Sequence, residues 1–393
     1  MQKILILGGG FAGIETALRL RQYLSKNEII LVSDDDCFTF SPLLYEVAAG
    51  ELSEADTCLL IPSLLKKYKI VYYHDSVKKI LPKEKFVITK NSEKISFDVL
   101  ILAIGALTNY SGIEGKEKAF ALKSKEDAEK LFERISNCVE KNEPHDFVVC
   151  GAGLTGIELA TTLKDHLDIV CAKNGFNRKN FRVTILHGPN RILPNLPDKA
   201  SSLVLDYLSK ASIDVVCNFY TKKIFNKKVI SRDGSEFSCD TLIWAGGIRT
   251  HDLIIESSLP YSGMLGERGA PGGGLLVNSF MQCTTYPFIF GLGDCACIVE
   301  NESIQKTAQN AVDQSKVVAK NVIALLKNSK MVKYKPKIGK FYCALGKNNA
   351  LYVCGKKILV GKKVRFEKEK QETRYVKRLS KTSKPSVGIY EFL

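Results

Sequence analysis

Hydrophobic positions are densest in short runs of strand length, and two of these runs organise the chain. Ile4-Leu5-Ile6-Leu7 is uninterrupted, as expected of a strand buried on both faces. Gly8-Gly9-Gly10-Phe11-Ala12-Gly13 follows without a spacer, and apolar residues from Ile14 to Leu20 then recur at helical period. Strand, G-x-G-x-x-G turn and helix in direct succession predict a dinucleotide site. Gly8 permits the tight turn, Gly10 lets the main chain approach a pyrophosphate, and Gly13 lets the helix pack on the strand. The phosphates would rest on the N–H groups at the start of that helix.

The pattern occurs twice. Phe147-Val148-Val149-Cys150 leads into Gly151-Ala152-Gly153-Leu154-Thr155-Gly156, and Gly-Ile-Glu-x-Ala recurs at Gly13–Ala17 and Gly156–Ala160. Each copy is followed by a second echo. Phe97-Asp98-Val99-Leu100-Ile101-Leu102-Ala103-Ile104-Gly105 matches Cys239-Asp240-Thr241-Leu242-Ile243-Trp244-Ala245-Gly246-Gly247. An ordinary βα loop accounts for either turn alone but not for the pair. Two βαβ modules imply two nucleotide sites in one chain.

Between these landmarks, Glu28 to Val32 predicts a second strand ending at Ser33-Asp34-Asp35-Asp36. An acid at this strand end normally receives ribose hydroxyls; Ser33 holds the place, with Asp34 beside it. Residues 51–95 read as a polar, helical stretch with short strands at Val71–Asp75 and Lys85–Thr89, and His74 as a strand-end residue rather than a ligand. Ala128–Val139 predicts the helix before the second module. Gly263–Gly274, with six glycines, predicts a mobile connection. Gln305–Lys327 reads as a helix with small residues, Ala308 and Ala311, near its start.

Composition narrows the class. The 393 residues suffice for two or three domains, and 45% apolar with 25% charged residues fits a soluble globular protein. The longest apolar runs fall short of a membrane span, and a strand beginning at Lys3 leaves no room for a signal peptide. Twelve scattered cysteines, several inside apolar strands, predict reduced buried thiols in a cytoplasmic protein. The net charge of +15 is uneven: Lys356–Lys384 holds twelve Lys or Arg against Glu367, Glu369 and Glu372. Such a segment suits an anionic membrane surface, nucleic acid or plain solvent. A nucleic-acid role would leave both nucleotide folds unexplained, so none is expected.

Three further stretches carry a family resemblance. Pro42-Leu43-Leu44-Tyr45 follows the second strand; Phe288-Ile289-Phe290-Gly291-Leu292-Gly293-Asp294 places an acid at a strand end; Ala308, Gln309, Ala311 and Gln314 share one helix. With the paired glycine turns, they make the chain resemble the type II NADH:quinone oxidoreductases from about residue 3 to about residue 353. The resemblance implies an α/β fold: two Rossmann-like dinucleotide-binding domains plus a small C-terminal α+β segment. The domains would be residues 1–112 and 263–330 for FAD, 113–262 for NAD(P)H, and 331–393 for a basic segment. FAD would lie on Gly8, Gly10, Phe11, Ala12, Gly13, Ser33, Asp34, Pro42, Val77, Ala103, Gly105, Asp294 and Ala311, with Asp294 taking the ribityl hydroxyls. NAD(P)H would lie on Gly151, Gly153, Leu154, Thr155, Gly156, Glu158, His187, Ala245, Gly246 and Gly247.

Catalysis would rest on Glu158, Gln309, Gln314 and Tyr45, with a quinone at the face made by Tyr45, Gln309 and the C-terminal segment, and with no metal. For Glu158 a second reading stands beside this one, since a carboxylate near a helix N-terminus is favourable by about 0.3–1 kcal/mol. The implied location is cytoplasmic, peripheral on the inner face of the cell membrane, and a homodimer is compatible with it.

Three departures matter. His187 stands where family members selective for NADH carry an acid, and Arg191 nearby would attract a 2′-phosphate, so NADPH or both donors are expected. Asp313 replaces a glutamine in the quinone motif. The C-terminal segment is basic rather than apolar, with a thin stripe of Phe366, Thr373, Val376 and Leu379, so attachment would be salt-sensitive. Two rival enzymes share the fold. A sulfide:quinone oxidoreductase needs redox cysteines beside the flavin, and Cys343 has a suggestive place but no inserted partner. A dithiol reductase wants a cysteine near residue 42, where Cys37 comes too early, and Cys295 and Cys297 read as buried thiols.

Overall fold

The computed structural model describes residues 2–110, 112–262, 273–301 and 304–380. The chain builds two parallel sheets of five strands. The first runs from β1 (Lys3–Leu7) through α1 (Phe11–Tyr23) to β2 (Glu28–Ser33). A short ribbon, β3 (Cys37–Thr39) and β4 (Cys58–Leu60), brackets the small helix α2 (Leu44–Ala48). The sheet continues with β5 (Val71–His74) and β6 (Val99–Leu102). The second sheet follows α3 (Lys125–Glu140): β7 (His145–Cys150), α4 (Leu154–Asn174), β8 (Phe181–Leu186), β9 (Asp214–Val216) and β10 (Thr241–Trp244). The chain then returns to the first sheet with β11 (Ile289–Gly291) and packs α5 (Ala308–Leu326) on α1.

Strand order is β11-β6-β1-β2-β5 in one sheet and β10-β7-β8-β9 in the other, whose edge is the two-residue strand Phe120–Ala121. Every neighbour pair is parallel, with Leu5 between Ile30 and Leu100 and Val149 between Ile185 and Ile243. The central strands are buried on both faces, which is why their sequences are unbroken apolar runs. The duplication extends further than the motifs. Each module inserts a three-stranded antiparallel meander before its closing strand, and both meanders shift register in the first strand, at Val77/Lys79 and Thr221/Lys223.

Two expectations change here. The helix expected from Gln305 begins at Ala308, because Thr307 caps it by accepting the Asn310 N–H. Cys37 and Cys58 are joined in a disulfide, contrary to the expectation of reduced thiols throughout; pairing of β3 with β4 brings their Cα atoms to 5.5 Å. The glycine-rich connection falls at residues 263–272, outside the described residues, with Gly273 and Gly274 entering a strand.

The C-terminal segment is the largest correction. It forms a sheet of β12 (Lys340–Leu345), β13 (Asn349–Cys354) and β14 (Lys357–Gly361), then the helix α6 (Lys362–Ser380). Rather than a solvated basic tail, α6 lies on the protein. Val376 and Leu379 join the core of the first module, each worth about 1.5–3 kcal/mol of burial, and Phe366 points to solvent at 61% exposure. Lys381 and Lys384 lie outside the described residues.

Candidate functional site

The two glycine turns have the same construction. Gly8 has φ +108°, and a Cβ there would meet the Ala103 carbonyl oxygen at 2.3 Å; Gly151 has φ +119° and the Ala245 carbonyl at 2.2 Å. A Cβ on Gly13 or Gly156 would come within 1.9 Å of the Gly8 or Gly151 carbonyl, so each helix packs directly on its own turn. Gly10 and Gly153 face open space, the place where a pyrophosphate would approach. Ala103 and Ala245 are therefore each held against the first glycine of their own module's turn.

The first turn opens into a cleft of about 380 Å³. Gly8, Gly10, Phe11, Ala12, Ser33, Asp34, Val77, Ala103, Gly105, Asp294 and Ala311 all line it, although they come from six separate stretches of sequence. Gly13 lies beneath the turn and Pro42 sits in the 3-10 turn Ser41–Leu43, neither on the lining. Lys123, Ser124 and Lys125 line it too, from the chain entering α3, and sequence reasoning missed them. Lys123 Nζ is 3.2 Å from Asp294 Oδ2, so the second module neutralises the acid of the first. The Ser124-x-x-Asp127 capping box was the only local signal of that helix start.

Gln314 is turned inward. Its Oε1 accepts the Gly293 N–H at 2.7 Å, so it fixes the Gly293-Asp294 corner and does not face an open surface. Gln309 is exposed and donates to Asp313 Oδ2 at 3.0 Å; Asp313 also pairs with Lys316 at 2.6 Å. The altered glutamine is thus an ion-paired carboxylate.

Tyr45 is buried too, at 2% exposure, and the face expected to be open is covered by α6. The reason is that α2 packs into the core of the second module, through Leu44, Val47 and Ala48, while its polar Tyr45-Glu46 edge lies against α6. The Tyr45 hydroxyl donates to Glu46 Oε1 at 2.8 Å and accepts from Arg365 and Lys368, both at 3.0 Å. Arg365 also holds Glu46 at 2.8 Å, and Lys368 holds Glu372 at 2.7 Å. Burial and neighbouring carboxylates push the Tyr45 phenol well up.

Glu158 belongs to the same cluster. Its Oε1 accepts the Ala344 N–H at 2.9 Å and lies 3.9 Å from Lys368 Nζ. Burial pushes this carboxyl up to about 7, with Lys368 and the Ala344 amide opposing. Its counterpart Glu15 is paired with Arg19 at 2.8 Å and with Arg378 of α6. One helix therefore supplies a cation to the equivalent glutamate of each module.

At the second turn, Leu154 and Thr155 begin α4, Thr155 being exposed. Gly246 packs against the Trp244 indole, where a Cβ would lie 2.3 Å away, and Gly247 has φ +108°. His187 Nδ1 accepts the Ala152 N–H at 3.1 Å, which leaves the proton on Nε2, and burial lowers its basicity. Arg191 is committed elsewhere, to the Leu196 and Pro194 carbonyls, the Ser201 hydroxyl and Asp198. The expected attraction of a 2′-phosphate by Arg191 is therefore not built into this arrangement.

The family model described as pyridine nucleotide-disulphide oxidoreductase matches residues 2–315. The chain belongs to that family. It is 28% identical to a type II NADH:quinone oxidoreductase of Staphylococcus aureus, with 95% of each chain covered. Among solved structures, a sulfide:quinone oxidoreductase from Aquifex aeolicus superposes with a TM-score of 0.82 at 21% identity, covering 100% of this chain and 95% of that one. NDH2 from Plasmodium falciparum in complex with NADH gives 0.81 at 20% identity, covering 96% and 94%. At these identities the two structures establish the shared fold.

Proposed function

We propose that the protein oxidises NADH or NADPH at its second glycine turn and passes two electrons, through FAD held in the first cleft, to a quinone. The observation that carries this reading is the pair of turns, each with one glycine open to a ligand, beside a cleft whose lining residues suit a flavin dinucleotide. The full-length likeness to a quinone-reducing relative supports the acceptor. Ser33 and Asp34 would take ribose hydroxyls, Asp294 the ribityl hydroxyls, and the N-terminus of α5, with Ala308 and Ala311 on the lining, would favour negative charge nearby.

A bound FAD supplies the two-electron relay between donor and acceptor. Glu158 holds a proton near neutral pH, oriented by the Ala344 N–H and Lys368, and can pass it toward a reduced acceptor. Tyr45 acts through its bonds to Glu46 and Lys368 rather than by contact. Cys343 is free, fully buried and pushed well up by burial, which disfavours sulfide oxidation there. Among the described residues no helix is long and apolar enough to cross a membrane.

Attachment to an anionic membrane, on this reading, uses the outer side of the C-terminal sheet and the start of α6. Ile338, Leu359, Val360 and Phe366 are exposed there beside Lys357, Lys362 and Lys363. Pelleting with anionic vesicles at low salt, and release at high salt, tests it; no binding at low salt rejects it. The reaction itself is tested by anaerobic titration of the purified yellow protein with NADH, NADPH or sulfide, followed by a soluble quinone. Bleaching by a nicotinamide donor and recovery with quinone are expected. Colourless protein that takes up no FAD would end the proposal.

A further inference from the structure

Ten of the twelve cysteines lie outside any disulfide, and the remaining two, Cys37 and Cys58, are joined across β3 and β4 with a sequence separation of 21. Cys37 lines the cofactor cleft next to Ser33 and Asp34. The residue after it, Phe38, is fully buried with its ring edge-on to Phe11 of the glycine turn, centroids 5.0 Å apart. On the other strand, Ile61 follows directly after β4 and lies under Gly9, where a Cβ would come within 2.4 Å of its Cδ1. The ribbon thus presses on the phosphate-cradling turn from both of its strands. Its flanks also reach the second module: Lys125 Nζ lies 3.3 Å from Asp35, just before β3, and 3.1 Å from Glu54, just before β4.

A two-stranded ribbon of three residues per strand is marginal by itself in water. The crosslink removes the freedom of the intervening loop to open, and so holds Phe38 and Ile61 against the turn. Among the free thiols, burial pushes Cys150 to about 12 and Cys295 to about 11, which leaves them inert. Cys58 is half-buried and reachable from solvent, whereas Cys37 is buried.

We propose that Cys37 and Cys58 form a thiol–disulfide site that exchanges with small disulfides and thiols and sets how tightly the cleft holds its dinucleotide. The proposal rests on the reading of that cleft as the FAD site. In the oxidising direction, Cys58 gives its proton to solvent and its thiolate attacks one sulfur of a small disulfide, forming a mixed disulfide and releasing one small thiolate. Cys37 then loses its proton and displaces the second small thiolate from Cys58, closing the internal bond. Two electrons leave the two cysteines and reduce the small disulfide to two thiols; a small dithiol reverses both steps. The position beside Ser33 and Asp34 makes the pair a clamp on the ribose end of the cleft, outside the electron relay.

The test uses the flavin-loaded full chain equilibrated in buffers of graded dithiothreitol ratio. Alkylation and mass spectrometry report the pairing, and flavin fluorescence after dilution reports release. A linked Cys37–Cys58 peptide is expected in oxidising buffer, with release at least about fivefold faster once it is reduced. Cys58→Ser should release flavin at the fast rate in both buffers, and Cys37→Ser should match it, while Cys217→Ser should follow the wild type. Both cysteines fully alkylated in oxidising buffer, or release indifferent to the bond, overturns the proposal. A chain that forms the bond but takes up no flavin overturns the cofactor reading and the coupling with it, while the exchange site stands on the pairing data.

Discussion

Lys368 Nζ lies 3.9 Å from Glu158 Oε1, and both groups are buried between α4 and α6. The lysine charge opposes the burial that raises the Glu158 carboxyl to about 7. Removing it with Lys368→Met should push that carboxyl up by a further unit or more, on the order of one to three. The pH profile of quinone turnover should move to higher pH with it, while flavin content stays unchanged. An unmoved profile would show that the lysine is structural only.

The same carboxyl predicts a pH dependence of stability. Its folded value, about 7, lies above the ordinary 4.5, so the native state holds this proton more tightly than the unfolded chain. Its contribution is complete below about pH 4.5 and is lost as pH rises through about 7. Glu158→Gln removes the titration. Calorimetry at several pH values across that window should find a shallower decline of Tm in the variant than in the wild type.

Arg365 is the hub of the buried cluster, touching Glu46, Tyr45 and Glu369. Arg365→Met leaves the Glu46 carboxylate without its buried counter-charge, a loss of about 3–5 kcal/mol in urea unfolding. Adding Glu46→Gln should restore most of it, because a neutral amide no longer needs the cation. Arg365→Lys should not, since a single ammonium cannot span the same partners.

The glycine turns offer a separation of the two sites. Gly13→Ala would place a Cβ 1.9 Å from the Gly8 carbonyl, and Gly156→Ala does the same to Gly151. The first variant should purify with little or no flavin. The second should stay yellow but lose flavin reduction by NADH by at least about tenfold in stopped flow. Equal flavin loss in both would contradict the assignment of one nucleotide to each turn.

Donor choice is predicted to turn on His187 rather than Arg191. Arg191 is tied into its own turn, so Arg191→Ala should change the ratio of NADH to NADPH reduction rates by less than about twofold. His187→Glu should lower the NADPH rate by about tenfold or more relative to NADH, through repulsion of a 2′-phosphate.

Local patterning determined a great deal of this. Uninterrupted apolar runs of strand length suit strands buried on both faces, and a repeated set of three glycines at fixed spacing suits a turn on which a helix rests. The two parallel modules, their echo and the glycine turns at the mouth of the cleft were therefore written into neighbouring residues. Asp294 and Ala311 were named by the family resemblance, which a strand end and a helix start make physically reasonable. What the sequence left open were contacts between segments hundreds of residues apart. Nothing near Arg365, Lys368 or Arg378 announces that they meet Glu46, Glu158 and Glu15, since a run of lysines and arginines reads the same whether solvated or buried. Tyr45 looked like part of an open face because α2 carries no mark of which module it will join. The pairing of Cys37 with Cys58 and the reach of Lys123 to Asp294 were likewise decided by packing. Periodicity acts over a few residues and is visible in one dimension; the pairing of charges and thiols depends on which surfaces the completed sheets bring together.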